Sequence, residues 1–417
     1  MIFHVDVNSA YLSWESVKRI KEGGEDLRLI PSCVGGDPKT RRGIVLAKSV
    51  PAKKYGVKTG EPLTAAIRKC PGIVIAKPDF KLYSVCSKAF KDILREYAPV
   101  VEEFSIDECF LDFTGTEKIY PDFTALAHEI KDRIKNELGF TVNVGIGRNK
   151  LSAKMASDFE KPDKVHTLFP EEIEEKLWKL PVGELLFIGG ATAAKLRSLY
   201  IETIGDLAKT DIGFLKHYFG EKAALQMKNY ANGIDESPVL AEPPRPKGYS
   251  NSITLEEDIT ELSGANAVLL ALADSVTAHM RSDGAKAYCV AVTIRYLDFK
   301  TKSHQRSCDT PVNTTNEVYR ISKELLPELW KDKKPLRLLG ISLTNLSFGE
   351  ESEQMSLFDE GSGEKIKRDE RLDKTVDKLR QKFGFDKIKR GTVLSAGINT
   401  ARKFKDSEDS KTEGDKQ

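Results

Sequence analysis

Short apolar runs alternate with helically spaced apolar positions over roughly the first 170 residues. Ile2–Val7 predicts a buried strand. Ser9 is placed to cap a helix running to about Glu22, with Tyr11, Trp14, Val17 and Ile20 recurring at helical spacing. Phe104–Phe113 suits two short strands around an acidic dipeptide. Asp122 opens a helix that carries Leu126, Ile130, Ile134 and Leu138 on one face, and Gly139 stops it. Thr141–Gly147 reads as a strand, and Asn149–Phe159 as a helix ending before Pro162. This order fits a split βαβ sheet with the acidic strands adjacent at its centre.

A second texture follows. Residues 170–235 read as helical and short-looped, and Glu242-Pro-Pro-Arg-Pro-Lys247 reads as an interdomain linker. Beyond it come a strand (Tyr249–Leu255), a helix (Ser263–Arg281), two strands (Ala287–Tyr296, Ser303–Asp309), a helix (Thr315–Trp330) and a last strand (Leu336–Leu346). That is an independent α/β domain. From Gly349 the pattern turns polar, holds one amphipathic segment, Leu372–Phe383, and ends in a charged tail expected to be disordered.

Composition narrows the class. With 417 residues, 40% hydrophobic and 31% charged, the chain reads as a soluble protein of several domains. No apolar run approaches ~18 residues, so no membrane span is expected, and the N-terminus lacks a secretory signal. The 6 cysteines form no CxxC pair, which predicts a reduced, cytoplasmic protein. Net charge is only +2. Lys39, Arg41, Arg42, Lys48, Lys53, Lys54 and Lys58 nevertheless cluster behind a lone acid, Asp37, and suit either a polyanionic partner or a solvated surface.

The acidic dipeptide changes the picture most. Asp107 and Glu108 lie within Phe104-Ser-Ile-Asp-Glu-Cys-Phe-Leu-Asp-Phe113, a run that otherwise reads as buried. Buried carboxylates need compensation, and hard oxygen ligands suit Mg²⁺. Asp6, in another apolar strand, supplies a third carboxylate, which makes a two-metal phosphoryl-transfer site. Neighbours on a straight strand face opposite sides, so the strand must turn or bulge at Asp107-Glu108. A hairpin with both acids facing water is the alternative. After Asp6, residues Val7, Asn8 and Ser9 lead into a helix N-terminus, whose free amides can hold phosphate. Lys53 and Lys161 can add charge for the β- and γ-phosphates, or be ordinary surface lysines.

These residues resemble the Y family of DNA polymerases, the low-fidelity translesion enzymes. The matches are Asp6-Val-Asn-Ser-Ala-Tyr-Leu-Ser-Trp-Glu15, Ser105-Ile-Asp-Glu-Cys-Phe-Leu-Asp112, and Val144-Gly-Ile-Gly-Arg-Asn-Lys-Leu-Ser-Ala-Lys-Met-Ala-Ser157 followed by Lys161-Pro162. They occur in the family's order over about residues 1–350. The resemblance implies an α/β (α+β) multidomain right hand: a ferredoxin-like palm (1–11 and 77–168), fingers (12–76), a helical thumb (169–236), a linker (237–246), a little finger (247–348) and a flexible tail (349–417). It implies two Mg²⁺ on Asp6, Asp107, Glu108 and the Val7 carbonyl. It further implies a dNTP bound along Asn8, Ser9, Ala10 and Tyr11 with Lys53 and Lys161, Tyr11 being a steric gate. Template-directed, low-fidelity synthesis on primer-template DNA follows, by a cytoplasmic, nucleoid-associated monomer without a membrane anchor.

The chain departs from the family at several points. Asn8 stands where a second acid is common, and Val50 and Lys53 stand where a Tyr and an Arg often contact triphosphate. A lysine cannot fork onto two phosphate oxygens as arginine does. Phe187-Ile-Gly-Gly-Ala-Thr-Ala-Ala-Lys-Leu196 resembles a helix–hairpin–helix, implying DNA contact at Ile188, Gly189, Gly190, Thr192 and Lys195, with Phe187 replacing the usual first glycine. An ordinary turn of a helical core is the alternative there. Gln354-Met-Ser-Leu-Phe358 resembles the peptide by which bacterial polymerases bind the sliding clamp, Met355 standing for the usual Leu. That resemblance implies clamp contact at Gln354, Met355, Ser356, Leu357 and Phe358. An incidental apolar pair, Leu357-Phe358, is the alternative. A nucleotide cyclase would need neither the thumb nor the clamp peptide. A catalytically inactive adaptor is the other alternative, and it should lack the acids retained here.

Overall fold

The computed structural model describes residues 1–37, 43–349, 362–385 and 387–391. They form two compact units that divide between Pro243 and Pro244, inside the proline-rich stretch. In the first unit β1 (Ile2–Val7) leads into α1 (Ala10–Lys21). Next come β2 (Ser32–Gly35), β3 (Val45–Lys48), α2 (Val50–Lys54), α3 (Leu63–Lys69) and β4 (Val74–Ala76), whose strands make a small sheet ordered β3-β2-β4. They are followed by α4 (Phe80–Arg95), β5 (Val100–Glu103), β6 (Glu108–Asp112), α5 (Phe123–Leu138), β7 (Val142–Gly147), α6 (Lys150–Asp158) and β8 (Val165–Leu168). The main sheet runs β5-β6-β1-β7-β8, with β1 antiparallel to both neighbours.

The two faces of this sheet differ because alternate residues of each strand point opposite ways. Phe3, Val5, Val7, Leu111, Val142, Val144 and Ile146 enter a buried core with Phe90 and Leu94 of α4 and Ile130 and Ile134 of α5. Each such side chain contributes about 1.5–3 kcal/mol on burial. The opposite face carries His4, Asp6, Asn143, Gly145 and Gly147 and is covered by α6. A Cβ on Gly145 would stand 2.0 Å from the Ala153 carbonyl oxygen, and one on Gly147 2.6 Å from the Ala153 amide nitrogen. The glycines therefore let α6 lie directly on β7. Asn149 starts α6 through a reciprocal capping box with Ser152.

One local expectation differs. Ser9 occupies the N-cap of α1, but in the left-handed region (φ 48°), and its side chain makes no capping hydrogen bond. The Ser9 hydroxyl therefore leaves the first amides of α1 without a side-chain cap, while the carbonyl groups of Asn8 and Ser9 accept from the Ser13 hydroxyl at 2.6 Å and the Ser13 amide at 3.0 Å.

After β8, the helices α7 (Gly190–Ser198), α8 (Ile204–Lys209), α9 (Ile212–Phe219) and α10 (Glu221–Ala231) share a core around Leu196, Leu207, Leu215 and Ala224. Two tight turns here place aromatic residues at positive φ, Phe187 at 67° and Tyr200 at 62°. The turn before α7 thus keeps its shape without the usual glycine, and Phe187 bears the strain.

The second unit is β9 (Gly248–Ile259), α11 (Leu262–Ser282), β10 (Ala285–Tyr296), β11 (Thr301–Val312), α12 (Thr315–Leu329) and β12 (Leu336–Phe348), with sheet order β11-β10-β12-β9. Its strands outrun their apolar stretches because ladder pairing continues through polar residues, as in β11. Where a flexible tail was expected, residues 362–383 form a further helix, α13 (Ser362–Phe383). Its carboxylates and arginines are fastened to the second unit: Arg281 to Asp373 (3.2 Å) and Asp377 (2.7 Å), and Arg380 to Asp274 (2.7 Å). The Thr315 amide, at the start of α12, also donates to Asp373 at 2.7 Å. Low apolar content signalled disorder, whereas the stabilising partners lie 58 to 106 positions away in sequence.

Tyr200 is 91% exposed, so its left-handed backbone gains no packing in return. An L side chain there costs about 1–2 kcal/mol, partly offset by the larger unfolded-state entropy of glycine. Tyr200→Gly should therefore stabilise the chain by about 0.5–1 kcal/mol, seen as a higher urea midpoint. An unchanged or lower midpoint would refute the strain.

Candidate active site

The hairpin between β5 and β6 puts the acidic pair beside Asp6. The chain turns through Phe104–Asp107, and Glu108 begins β6 directly across from Asp6. The Asp107 carbonyl accepts the Val7 amide at 3.0 Å. Asp6, Asp107 and Glu108 are therefore neighbours in backbone position, and the required turn lies between Ser105 and Asp107. Helix α4 pins that turn: the Lys91 ammonium donates to the Ser105 carbonyl at 2.9 Å and the Ser87 hydroxyl to the Ile106 carbonyl at 2.5 Å. The Ser105 hydroxyl donates to Asp107 Oδ1 at 2.6 Å and orients the carboxylate.

Two ammonium groups beside α6 hold the other carboxylates. Lys161 bonds Asp6, and Lys154 donates to Glu108 Oε1 at 2.8 Å. Burial pushes the Asp6 carboxyl up to about 6 despite Lys161. Burial acts the same way on Glu108, but the Lys154 ammonium outweighs it and holds that carboxyl below its usual range. Burial also lowers His4, to about 4, so the ring is neutral at physiological pH. Its Nδ1 lies 2.8 Å from the Ser157 hydroxyl, which itself donates to the Lys154 carbonyl at 2.8 Å. Nδ1 therefore carries the proton. His4 Nε2 stands 3.8 Å from Glu108, too far for a hydrogen bond.

A cavity of about 440 Å³ opens against these residues, lined by Asp6, Val7, Asp107 and the chain from Asn8 to Tyr11. Lys48, Ser49, Val50, Lys53, Thr59 and Lys161 complete much of its wall. Tyr11 is stacked on Tyr83, with ring centroids 4.6 Å apart and planes 16° from parallel. Tyr83 is fully buried and donates to Glu15 at 2.8 Å. Carboxylates, ammonium groups, backbone amides and a fixed aromatic plate thus share one concave space, a combination suited to a metal-bound nucleoside triphosphate.

Not every expected residue serves as expected. Glu108 is absent from the cavity wall because its carboxylate is turned to Lys154. Among the described residues, no three acidic, histidine or cysteine side chains already converge on a metal position. The Asn8 side chain is structural: it donates to Asn143 at 3.0 Å and accepts from Thr141 and the Asp163 amide, both at 2.9 Å. The Asn8 amide is spent on the Thr141 carbonyl, which leaves Ser9, Ala10 and Tyr11 as the amide cradle. In the proposed hairpin, Gly189 and Gly190 are exposed with open space around them, while Thr192 is half-buried and Ile188 is a core anchor. Lys195 is drawn back onto the Tyr218 carbonyl and over the Phe219 ring at 4.7 Å. The residues expected to contact the clamp, Gln354, Met355, Ser356, Leu357 and Phe358, all lie outside the described residues.

Sequence reasoning missed three features. Lys154 stood unassigned inside a quoted motif; its burial on the sheet-facing side of α6 is the signal. Lys48 was counted only within the basic run, yet it lines the cavity and reaches Thr59 at 3.1 Å. In the second unit, the sheet face away from α11 and α12 carries cross-strand rows of small polar residues. Ser250, Ser342 and Gln305 share one row, and Ser252, Thr293 and Ser303 the next. Their period of two, in Ser250-Asn-Ser-Ile-Thr254 and Ser303-His-Gln-Arg-Ser307, was readable.

Comparison with known proteins agrees with this chemistry. The impB/mucB/samB family matches residues 5–158, and its C-terminal domain matches residues 246–357. DNA polymerase IV of Clostridium acetobutylicum is 44% identical over 401 residues, covering 94% of this chain and 98% of its own length. DNA polymerase IV 1 of Bacillus subtilis is 36% identical over 398 residues, covering 94% and 93%. Among solved structures, the Y-family DNA polymerase chimera Dbh-Dpo4(243-245)-Dbh aligns with a TM-score of 0.72 at 24% identity, over 84% of this chain and 99% of that one. DinB from Sulfolobus solfataricus aligns with a TM-score of 0.53, also at 24% identity and over the same shares. The structural likeness speaks for the multidomain α/β fold, and the sequence matches for the family. This chain belongs to the impB/mucB/samB family, the Y-family DNA polymerases.

Proposed function

We infer that this chain is a template-directed DNA polymerase that performs translesion synthesis, joining a dNTP to a primer 3′-hydroxyl with release of pyrophosphate. The observation that carries the reading is the single cavity holding Asp6, Asp107, the amides of Ser9–Tyr11, Tyr11 itself and the ammonium groups of Lys48, Lys53 and Lys161. In this reading the first unit supplies palm (1–11 and 77–168), fingers (12–76) and thumb (169–236), and the second the little finger (247–348).

The residues fit a divalent cation. Asp6, Asp107, Glu108 and the Val7 carbonyl are hard oxygen donors, and two of the carboxylates are already neutralised by ammonium groups. Two Mg²⁺ bound there would supply Lewis acidity, making the 3′-hydroxyl a better nucleophile and neutralising charge on the departing pyrophosphate. With Asp6 so engaged, Lys161 is released toward the triphosphate, where Lys48 and Lys53 add charge. The amides of α1 orient the phosphate chain. Tyr11, held flat by Tyr83, lies under the sugar and collides with a 2′-hydroxyl. Backbone amides at Gly189 and Gly190 and the Ser/Thr rows of the second unit suit phosphate contact without base readout, as a lesion-tolerant enzyme needs. The retained acids speak against an inactive adaptor.

We further propose that Gln354, Met355, Ser356, Leu357 and Phe358 dock on the bacterial sliding clamp, with Met355, Leu357 and Phe358 as the apolar anchors. The protein would work as a cytoplasmic monomer. No described helix is long and apolar enough to cross a membrane.

Primer extension with Mg²⁺ and dNTPs on undamaged and abasic templates tests the activity, and no extension by the pure protein would refute it. Asp107→Ala or Glu108→Ala should lower extension by about 10³-fold or more, with DNA binding largely kept. Extension by either variant at the wild-type rate would overturn the metal-site assignment. Tyr11→Ala should raise the ribo-to-deoxyribonucleotide incorporation ratio by roughly tenfold, about 1.4 kcal/mol of lost discrimination. An unchanged ratio removes the gate role. Deleting 354–358 should reduce extension only in reactions that contain clamp; equal loss without clamp would count against docking.

A further inference from the structure

Helix α13 lies beyond the two matched segments, and its charges are sorted by face. Beyond its first turn, its acids point inward. Asp369 accepts from Asn316 at 2.9 Å, Asp373 and Asp377 hold Arg281, and Glu370 stands 3.8 Å from Lys286. Six of its cations point outward, Lys367, Arg368, Arg371, Lys374, Lys378 and Lys382 all being exposed, whereas Arg380 is turned inward. Between the two sectors runs an apolar stripe, with Leu372 50%, Leu379 41% and Phe383 56% exposed and Val376 half-buried. These four residues follow a 4-3-4 spacing, the heptad seam of paired helices, and fall within about 60° of one another around the helix.

The helix cannot roll to hide this stripe. Arg281, Asp373 and Arg380, with side chains 3–6% exposed, fasten the neighbouring inward face through buried ion pairs. Breaking such a pair leaves an uncompensated buried charge. The stripe is therefore held outward, bordered on one side by a continuous basic sector.

We propose that the outer face of α13 docks an acidic amphipathic helix of a partner protein. Leu372, Val376, Leu379 and Phe383 form the apolar seam, and Arg368 and Lys382, which flank it, pair with partner carboxylates. Charge disfavours a second copy of this chain, since two such faces would oppose cation to cation. A lipid surface calls for a wider apolar sector than about 60°, and DNA would engage the cations while leaving the stripe in water.

The test uses the full chain and a fluorescent peptide of about 21 residues, three heptads, with Leu at the a and d positions and Glu at e and g. Fluorescence anisotropy should show saturable binding of this peptide and none of its counterpart with Lys at e and g. The double variant Leu379→Glu/Phe383→Glu should bind at least tenfold more weakly at unchanged Tm, and Arg368→Glu/Lys382→Glu at least threefold more weakly. The proposal is overturned if the Glu peptide fails to bind, or if both peptides or the apolar variant bind equally. It is also overturned if the double substitution instead abolishes binding to anionic vesicles, binding to duplex DNA, or a dimer seen by sedimentation.

Discussion

Helix α6 lies on strand β7 with no β7 side chain at Gly145 or Gly147 to hold it off, and the candidate active site depends on that contact. Gly145 and Gly147 permit it, since a Cβ at either would run into the α6 backbone around Ala153. The close approach presses Lys154 and the following Lys161 onto carboxylates that β1 and β6 have buried. A wider helix–sheet gap would leave Asp6, 6% exposed, with an uncompensated charge. Packing and electrostatics are here one constraint.

That constraint explains why the polymerase can hold an acidic cluster before substrate arrives. The lysines neutralise Asp6 and Glu108 within the fold, and burial pushes Asp6 up to about 6 even so, a carboxylate poised to exchange one cation for another. In the proposed reading, metal-bound nucleotide would bring both new cations for the carboxylates and new anions for the lysines, so that charge pairing would be conserved. Tyr11 is fixed independently, by Tyr83, which Glu15 holds in turn, and this would keep the shape of the proposed sugar pocket separate from that exchange.

Much of this was legible in the sequence, for local reasons. The alternation in Ile2–Val7 predicted a strand with Asp6 against its apolar neighbours, and adjacency of Asp107 and Glu108 demanded the turn found at Ser105–Asp107. Gly139 marked a helix end through the left-handed conformation that glycine adopts freely, and Asn149 marked a helix start through its capping side chain. What was hidden depended on distant partners. Asn8 read as part of a phosphate cradle but is tied to Asn143 and Thr141. Lys154 had no visible counterpart until the hairpin folded beside it. The stretch 362–383 read as polar apart from the amphipathic segment Leu372–Phe383, because its stabilising partners, Arg281, Asp274 and Thr315, lie in elements far before it in the chain.

The central claim is that Asp6, now held by Lys161, belongs to a divalent-cation site. Electron paramagnetic resonance of Mn²⁺, a spectroscopic stand-in for Mg²⁺, tests it with the full chain and a non-hydrolysable dNTP. The wild type should bind Mn²⁺ and broaden its signal, and Asp6→Asn should lose that binding while keeping its Tm. Undiminished Mn²⁺ binding by Asp6→Asn would contradict the account.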